Sequence, residues 1–511
     1  MSCPVSAPSA VSTPARADPR RWWALVALVA ANLVLSFDTT ILNVALPSMS
    51  AQLGAGSGQL QWIANSYIVV FAALMLPAGL LGDRFGRRRM LVCGLGVFLA
   101  GSLLGTLAHT AELVIAARTV MGAGAALIMP LALAALPSLF APEERTRALG
   151  AISAVSALGL PLGPLVGGWL LKHFWWGSVF FINVPLVLIG IAACVFLLPE
   201  TRDPASPRID AVSTLLTVTG LGALIFGLNE GPARGWASPL IAGAFLASLA
   251  LLAALVWRGR GQPRPMLDVS LLRERAFLWS TAAATLISLV LAGLMFVLPQ
   301  YLQGVLGYDT LGAGLGMLPL MAGMVIASKA TGAITARLGA RAVITGGLLA
   351  LSAAAFLGST TGAGDGYGIT ALWLAVAGLG IGAAVVPAMG TALGSLHGER
   401  AGSGSGLLTT VRQFGGAVGV ALLGSLLAGA YTARLDPGGL PAAEAGAAAE
   451  SVGAAQAVAE RLGAEHLAAS ADSAFLHGQS LVLTVSGTAA LAVALLVAAR
   501  LPTPARRNTE Q

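Results

Sequence analysis

The sequence predicts an all-α, polytopic membrane protein with fourteen transmembrane helices, and three observations carry that prediction. Charged residues make up 10% of the 511-residue chain, where a soluble protein carries about 25%. Apolar runs long enough to cross about 30 Å of hydrocarbon recur along the whole chain, and the mean hydropathy is +0.83. The basic residues gather in alternate gaps between those runs. A transmembrane β-barrel would instead show alternating segments of about ten residues. The 64 glycines lie within the apolar runs and have no three-residue period, as close helix packing in a bilayer allows and a collagen does not.

Residues 1–21, rich in Ser, Pro and Ala, form a cytoplasmic tail. The run 22–46 exceeds a signal-peptide core and lacks a cleavage pattern, so it is the first span. Further spans follow near 60–80, 90–108, 113–139, 147–171, 176–198, 211–229, 237–257, 276–299, 311–334, 342–361, 369–396, 405–432 and 476–499. Spans 1–6 make an amino-terminal bundle over 22–198, spans 7 and 8 an insertion over 199–260, and spans 9–14 a carboxy-terminal bundle over 261–499. Residues 500–511 are a second cytoplasmic tail. The long extracytoplasmic loop 433–475 is poor in bulky apolar residues, which predicts disorder or a partial surface helix rather than a packed domain.

Placing the amino terminus inside puts 22 of the 29 basic residues on the inner face and four outside, so both termini are cytoplasmic. The formal charge of +7 is scattered in short membrane-flanking clusters, which argues against nucleic acid as a partner. Cys3, Cys93 and Cys194 and the five histidines show no ligand spacing, so neither a metal nor another cofactor is expected. An enzyme is excluded on similar grounds: no nucleophile–base cluster and no loop the size of a catalytic domain is present. An internal repeat links Arg84-Phe85-Gly86 and Arg88 to Arg337-Leu338-Gly339 and Arg341 at an offset of 253. It also links Gly122–Ala126 to Gly380–Ala384 at an offset of 258. Repeated halves favour a transporter with a cavity at their interface over a passive channel.

Asp38 stands in the first span within Asp38-Thr39-Thr40-Ile41-Leu42-Asn43, about 24 Å along the helix from Trp22. A carboxylate there must be paired, hydrated or protonated. Arg118 lies at a similar depth in the fourth span, so an ion pair can form, serving either proton coupling or static satisfaction of buried charge. Between spans 2 and 3, Gly79, Asp83, Arg84, Gly86, Arg87 and Arg88 combine close approach with hydrogen-bonding charge, which suits a gate as well as a topology signal. In the fifth span, Gly159, Pro161, Gly163, Pro164, Gly167 and Gly168 join missing backbone donors to small residues, predicting a kink against a packed neighbour. Candidate substrate contacts are Asn43, Trp62, Asn65, Tyr67, Gln300, Tyr301, Gln303, Arg412 and Gln413; interfacial anchoring explains the aromatic residues and snorkelling explains Arg412 nearly as well.

These motifs together resemble the major facilitator superfamily, in particular its fourteen-helix drug:proton antiporters, over about residues 21–499. Asp38–Pro47 resembles the family's first-helix motif, Gly79–Leu91 its gating motif and Arg118–Ala126 its fourth-helix coupling motif. Gly159–Gly168 resembles the antiporter motif GxxxGPxxGG, and Asn183-Val184-Pro185 and Arg412–Gly415 resemble fourteen-helix members. The resemblance implies a monomeric protein in a bacterial cytoplasmic membrane. It would export hydrophobic or amphipathic drugs, antibiotics or metabolites, with the proton gradient as energy source. Proton-coupled uptake of a small organic solute is the alternative, opposed by the fifth-helix motif.

Overall fold

The computed structural model describes residues 21–140, 144, 162–201, 210–260, 262, 269–362, 364–396 and 400–502. All regular structure among them is helical, as expected where lipid supplies no hydrogen bonds to the backbone. The first elements are α1 (Arg21–Leu53), α2 (Ser57–Phe85), α3 (Arg87–Thr106), α4 (Ala111–Leu139), α5 (162–173), α6 (Ser178–Phe181) and α7 (Asn183–Leu197). A hairpin of α8 (Ala211–Arg234) and α9 (Pro239–Arg260) follows. Then come α10 (Arg275–Gln300), a π turn (Tyr301–Val305), α11 (Thr310–Gly316), α12 (Leu318–Leu338), α13 (Ala340–Ser359), α14 (Tyr367–Gly394) and α15 (Arg400–Arg434). The last are α16 (Ala442–Glu450), α17 (Val452–Leu462) and α18 (Glu465–Arg500).

Twelve helical segments among the described residues are long and apolar enough to cross a membrane, against the fourteen predicted. The two predicted spans outside that set are α2, 29 residues long, and the fifth span, of which the structure describes residues 162–171.

Gly86 (φ 107°) alone joins α2 to α3, and Gly339 (φ 82°) alone joins α12 to α13. A side chain at either φ is strained, so glycine permits a one-residue joint between long helices. After each joint an arginine docks on a later helix, at the end of α7 in one case and within α18 in the other. Arg88 donates from Nη1 to Leu198 O (3.3 Å), and Arg341 donates from Nη2 to Ala498 O.

The repeat continues into the packing. A Cβ on Gly124 would stand 2.6 Å from Phe98 N and 2.7 Å from Gly94 O; on Gly380 it would stand 2.7 Å from Leu351 N and 2.6 Å from Gly347 O. Gly122 faces Tyr67 O in the same way that Gly378 faces Leu320 O. α4 and α14 therefore match at an offset of 256, not the 258 read from the glycine strings. The α13–α14 connection is three residues longer than the α3–α4 connection, which moves the offset from 253 to 256.

The loop 433–475 carries a pair of short helices, the helical one of its two expected forms, with one face buried rather than free on the surface. Ser451 caps α17, accepting from Ala454 N–H at 3.2 Å, and Val452, Ala455, Val458 and Ala459 are buried along one face. These side chains are mostly small, so the burial pattern left little trace in bulk hydrophobicity. We call α16 and α17 the cap, and the end of the bundle beneath them the cap face; the opposite end is rich in arginine.

Candidate functional site

Asp38 and Arg118 meet inside the amino-terminal helices. Arg118 Nη1 donates to Asp38 Oδ2 at 2.5 Å, with the two side chains only 2% and 1% exposed. Isolated charges are expensive in such a place, and their further hydrogen bonds offset part of that cost. Asn183 Nδ2, at the start of α7, donates to Asp38 Oδ1 at 3.0 Å. Arg118 Nε donates to Ile63 O at 3.3 Å, and its guanidinium lies 4.3 Å from the Tyr67 ring centroid, within cation–π range. Four helices thus converge on one carboxylate and one guanidinium. The sequence had marked Asn183 only as part of Asn-Val-Pro; a buried amide opening an apolar helix was the available signal.

On α1 the neighbouring polar groups are satisfied locally. Thr39 Oγ1 donates to Ser36 O (3.0 Å), Thr40 Oγ1 to Phe37 O (3.1 Å) and Asn43 Nδ2 to Thr39 O (2.9 Å). Pro47, inside α1, brings no N–H to the carbonyl four residues earlier, Asn43 O.

Arg118 forms part of the wall of a cavity of about 470 Å³ between α1, α2, α4, α10 and α15, within the range of small-molecule sites. Asn43, Tyr67, Arg412 and Gln413 also line it, as do the apolar Phe71, Met129, Leu291 and Met295. The other predicted substrate contacts lie elsewhere. Trp62 Nε1 donates to Glu230 Oε1 (3.4 Å) and Asn65 Nδ2 to Asn229 Oδ1 (3.3 Å), so both face α8. Two residues along a helix turn about 200°, which sends Asn65 away from the face that Tyr67 presents to the cavity. Gln300 and Gln303 line a separate cavity of about 250 Å³ beneath the cap, where Gln303 Nε2 donates to Val44 O (3.2 Å). Tyr301 is buried with its hydroxyl 3.2 Å from Thr370 Oγ1.

The α2–α3 joint is clamped by Glu200, which the sequence reading did not single out. Its Oε1 accepts from Arg88 N–H (3.2 Å), and Oε2 lies 3.7 Å from Arg88 Nε and 3.6 Å from Arg89 Nε. A Cβ on Gly86 would collide with this carboxylate, 2.7 Å from its Cδ. Arg87 N–H donates to Thr201 O (2.8 Å), and Arg84 is exposed with its guanidinium 5.6 Å from the Phe85 ring centroid. A Cβ on Gly79 would meet open space, and the Asp83 side chain lies outside the described residues.

In the fifth-span motif, Gly159 and Pro161 also lie outside the described residues. A Cβ on Gly163 would strike the Thr40 side chain, and one on Gly167 would reach Ile41 Cγ1 at 2.7 Å, so α5 rests directly on α1 beside Asp38. A Cβ on Gly168 would stand 2.6 Å from Thr310 O, while Pro164 O faces Gly314. Thr310 Oγ1 donates to Gly168 O (3.2 Å) and Lys172 Nζ to Asp309 Oδ2 (2.7 Å), closing α5 onto α11 at the cap face. The Lys172 hydrogen bond, with the Gly312 N–H second, holds the Asp309 carboxyl below the ordinary carboxylate range.

This architecture has known counterparts. The model of the Major Facilitator Superfamily matches residues 28–420. The chain belongs to that superfamily. It is 36% identical to the probable actinorhodin transporter of Streptomyces coelicolor, over 82% of this chain and 75% of that one. It is 33% identical to the multidrug efflux pump LfrA of Mycolicibacterium smegmatis, over 98% of each. In fold it resembles an inward-facing bacterial homolog of the human lysosomal transporter Spinster, with TM-score 0.68 and 17% identity, covering 95% of this chain and 98% of that one. The protein is a membrane transporter of the superfamily, not an enzyme.

Proposed function

We propose that the protein is a fourteen-helix drug:proton antiporter that exports hydrophobic or amphipathic compounds by alternating access. The observation that carries this reading is the buried Asp38–Arg118 pair: Arg118 forms the cavity wall, and α1 beside the pair carries the α5 glycine seam. The names of its relatives, an actinorhodin transporter and a multidrug efflux pump, support export of such compounds. The 29-residue α2 and residues 162–171 of α5 are the two spans that complete fourteen.

Proton and substrate exchange through electrostatics. A proton on Asp38 cancels its charge and releases the Arg118 guanidinium toward the cavity; loss of the proton re-forms the pair. The protonation of Asp38 and the position of Arg118 at the cavity wall are therefore linked. The α5–α1 seam lets that change bear on helix packing, because Gly163 and Gly167 touch Thr40 and Ile41, two and three residues from Asp38. The arginine-rich end is cytoplasmic with both termini, the two six-helix bundles (22–198 and 261–499) are the moving halves, and the gate residues Gly79–Arg88 act at the cytoplasmic end.

Asp38→Asn removes the carboxyl that would carry the proton and keeps the shape. In proteoliposomes of the monomeric protein under an imposed pH gradient, wild type drives dye transport and Asp38→Asn does not, although folded protein remains in the membrane. Gradient-driven transport at the wild-type rate by Asp38→Asn refutes proton coupling through this residue.

A further inference from the structure

Two cations and, among the described residues, no acid line the central cavity. Asp38 stands behind the wall with one oxygen committed to Arg118 and the other to Asn183. Arg412 on α15 is different. Among the described residues it has no ion-pair or hydrogen-bond partner, and its Nε is buried without an acceptor. A cation held this way in an apolar protein is costly until water or a counter-charge reaches it. The cavity also supplies what the rest of a ligand needs: Gln413 and Ser288 among its polar lining, and a deformable apolar wall from Met129 and Met295.

We propose that Arg412 binds the anionic group of an otherwise apolar substrate, a carboxylate, sulfonate or phenolate, so that the transported class is amphipathic anions. This rests on the reading of the cavity as the export site. A cationic substrate of the same shape meets two guanidinium groups and no free carboxylate; an anionic one completes a charge-assisted bond that the protein leaves open. Paired Arg118 cannot serve both roles at once, which leaves Arg412 as the constant anchor while Asp38 and Arg118 change partners.

The test uses fluorescein and rhodamine 6G, an anion and a cation built on the same xanthene ring. Binding is read by fluorescence polarisation on the purified full-length protein without any pH gradient. Wild type binds fluorescein the more tightly. Arg412→Gln weakens fluorescein binding about tenfold or more and tightens rhodamine binding, whereas Arg412→Lys keeps most of the preference. Competition by benzoate but not benzamide gives the same answer on wild type alone, should the glutamine variant not fold. A wild type that prefers rhodamine or fails to bind fluorescein overturns the proposal, as does an Arg412→Gln protein with unchanged fluorescein affinity. Because no gradient is present, a clear anion preference without gradient-driven transport sinks the antiport reading and leaves the anion site standing. Gradient-driven rhodamine transport that ignores Arg412 does the reverse.

Discussion

Around Asp38 the amino-terminal helices gather Tyr67, Arg118 and Asn183; the matching positions of the carboxy-terminal helices are Leu320, Leu374 and Leu483, all buried. The matches follow from shared contacts: Tyr67 with Leu320 and Arg118 with Leu374 through the glycine crossings, Asn183 with Leu483 through the arginines docked on Leu198 O and Ala498 O. The backbones approach equally closely in both places, since Gly122 meets Tyr67 O where Gly378 meets Leu320 O. The glycine scaffold therefore sets the packing, and the side chains at its centre are free to differ. The amino-terminal helices hold a buried ion pair at this centre; the carboxy-terminal helices hold leucines there and set their own cation, Arg412, on the cavity wall.

The comparison can be broken most severely by exporting the charge to the other bundle. Leu374→Arg buries a guanidinium with no carboxylate beside it, and we expect no folded protein to accumulate in the membrane fraction. Arg118→Leu gives the amino-terminal bundle its counterpart's residue and strands Asp38; losing one partner of a buried pair costs about 3–5 kcal/mol, read as a lower melting temperature in detergent together with loss of coupled transport. Asn183→Leu removes one hydrogen bond to the carboxylate, worth about 1.5–3 kcal/mol. The loss is read as a lower melting temperature in detergent, smaller than that of Arg118→Leu. Gly163→Leu overpacks α5 against Thr40 at a cost of about 1–3 kcal/mol. Export should slow while membrane insertion persists, and cysteine labelling from the two ends of the cavity should become unequal.

The smallest effect belongs to the exposed Lys172–Asp309 contact. With its proton affinity depressed in the folded protein, Asp309 contributes stability above the ordinary carboxylate range and loses it as pH falls through and below that range. Lys172→Gln should flatten that acid limb of the melting curve slightly and leave the neutral region unchanged.

Twelve of the fourteen expected spans were legible because twenty apolar residues have few other uses, and Asp38 and Arg118 because a charge in such a run is conspicuous. Facing was not legible. Trp62 and Asn65 have the chemistry of a ligand site but turn toward α8, and only the neighbour reveals it. Glu200 carried no mark in the sequence, and only the fold brings it to Arg88 and Arg89. Glycine-alanine strings align with themselves at several offsets, so the repeat was visible while its register needed backbone contacts to decide.

The cap belongs by chain connection to the carboxy-terminal helices, between α15 and α18, yet it grips the other bundle. Ser451 Oγ lies 3.0 Å from Ser50 Oγ, and Ser57 Oγ donates to Glu450 O, while Tyr431 OH ties Ala448 O to α15 at 3.0 Å. When the helices part at this end, the cap must release either the two serine contacts or its tie to α15, and the serine contacts are the ones that hold it across the gap. At about 1 kcal/mol net for each, they lengthen the dwell time of the closed arrangement by roughly thirtyfold, giving a segment without a titratable group in those contacts a hold on the turnover clock.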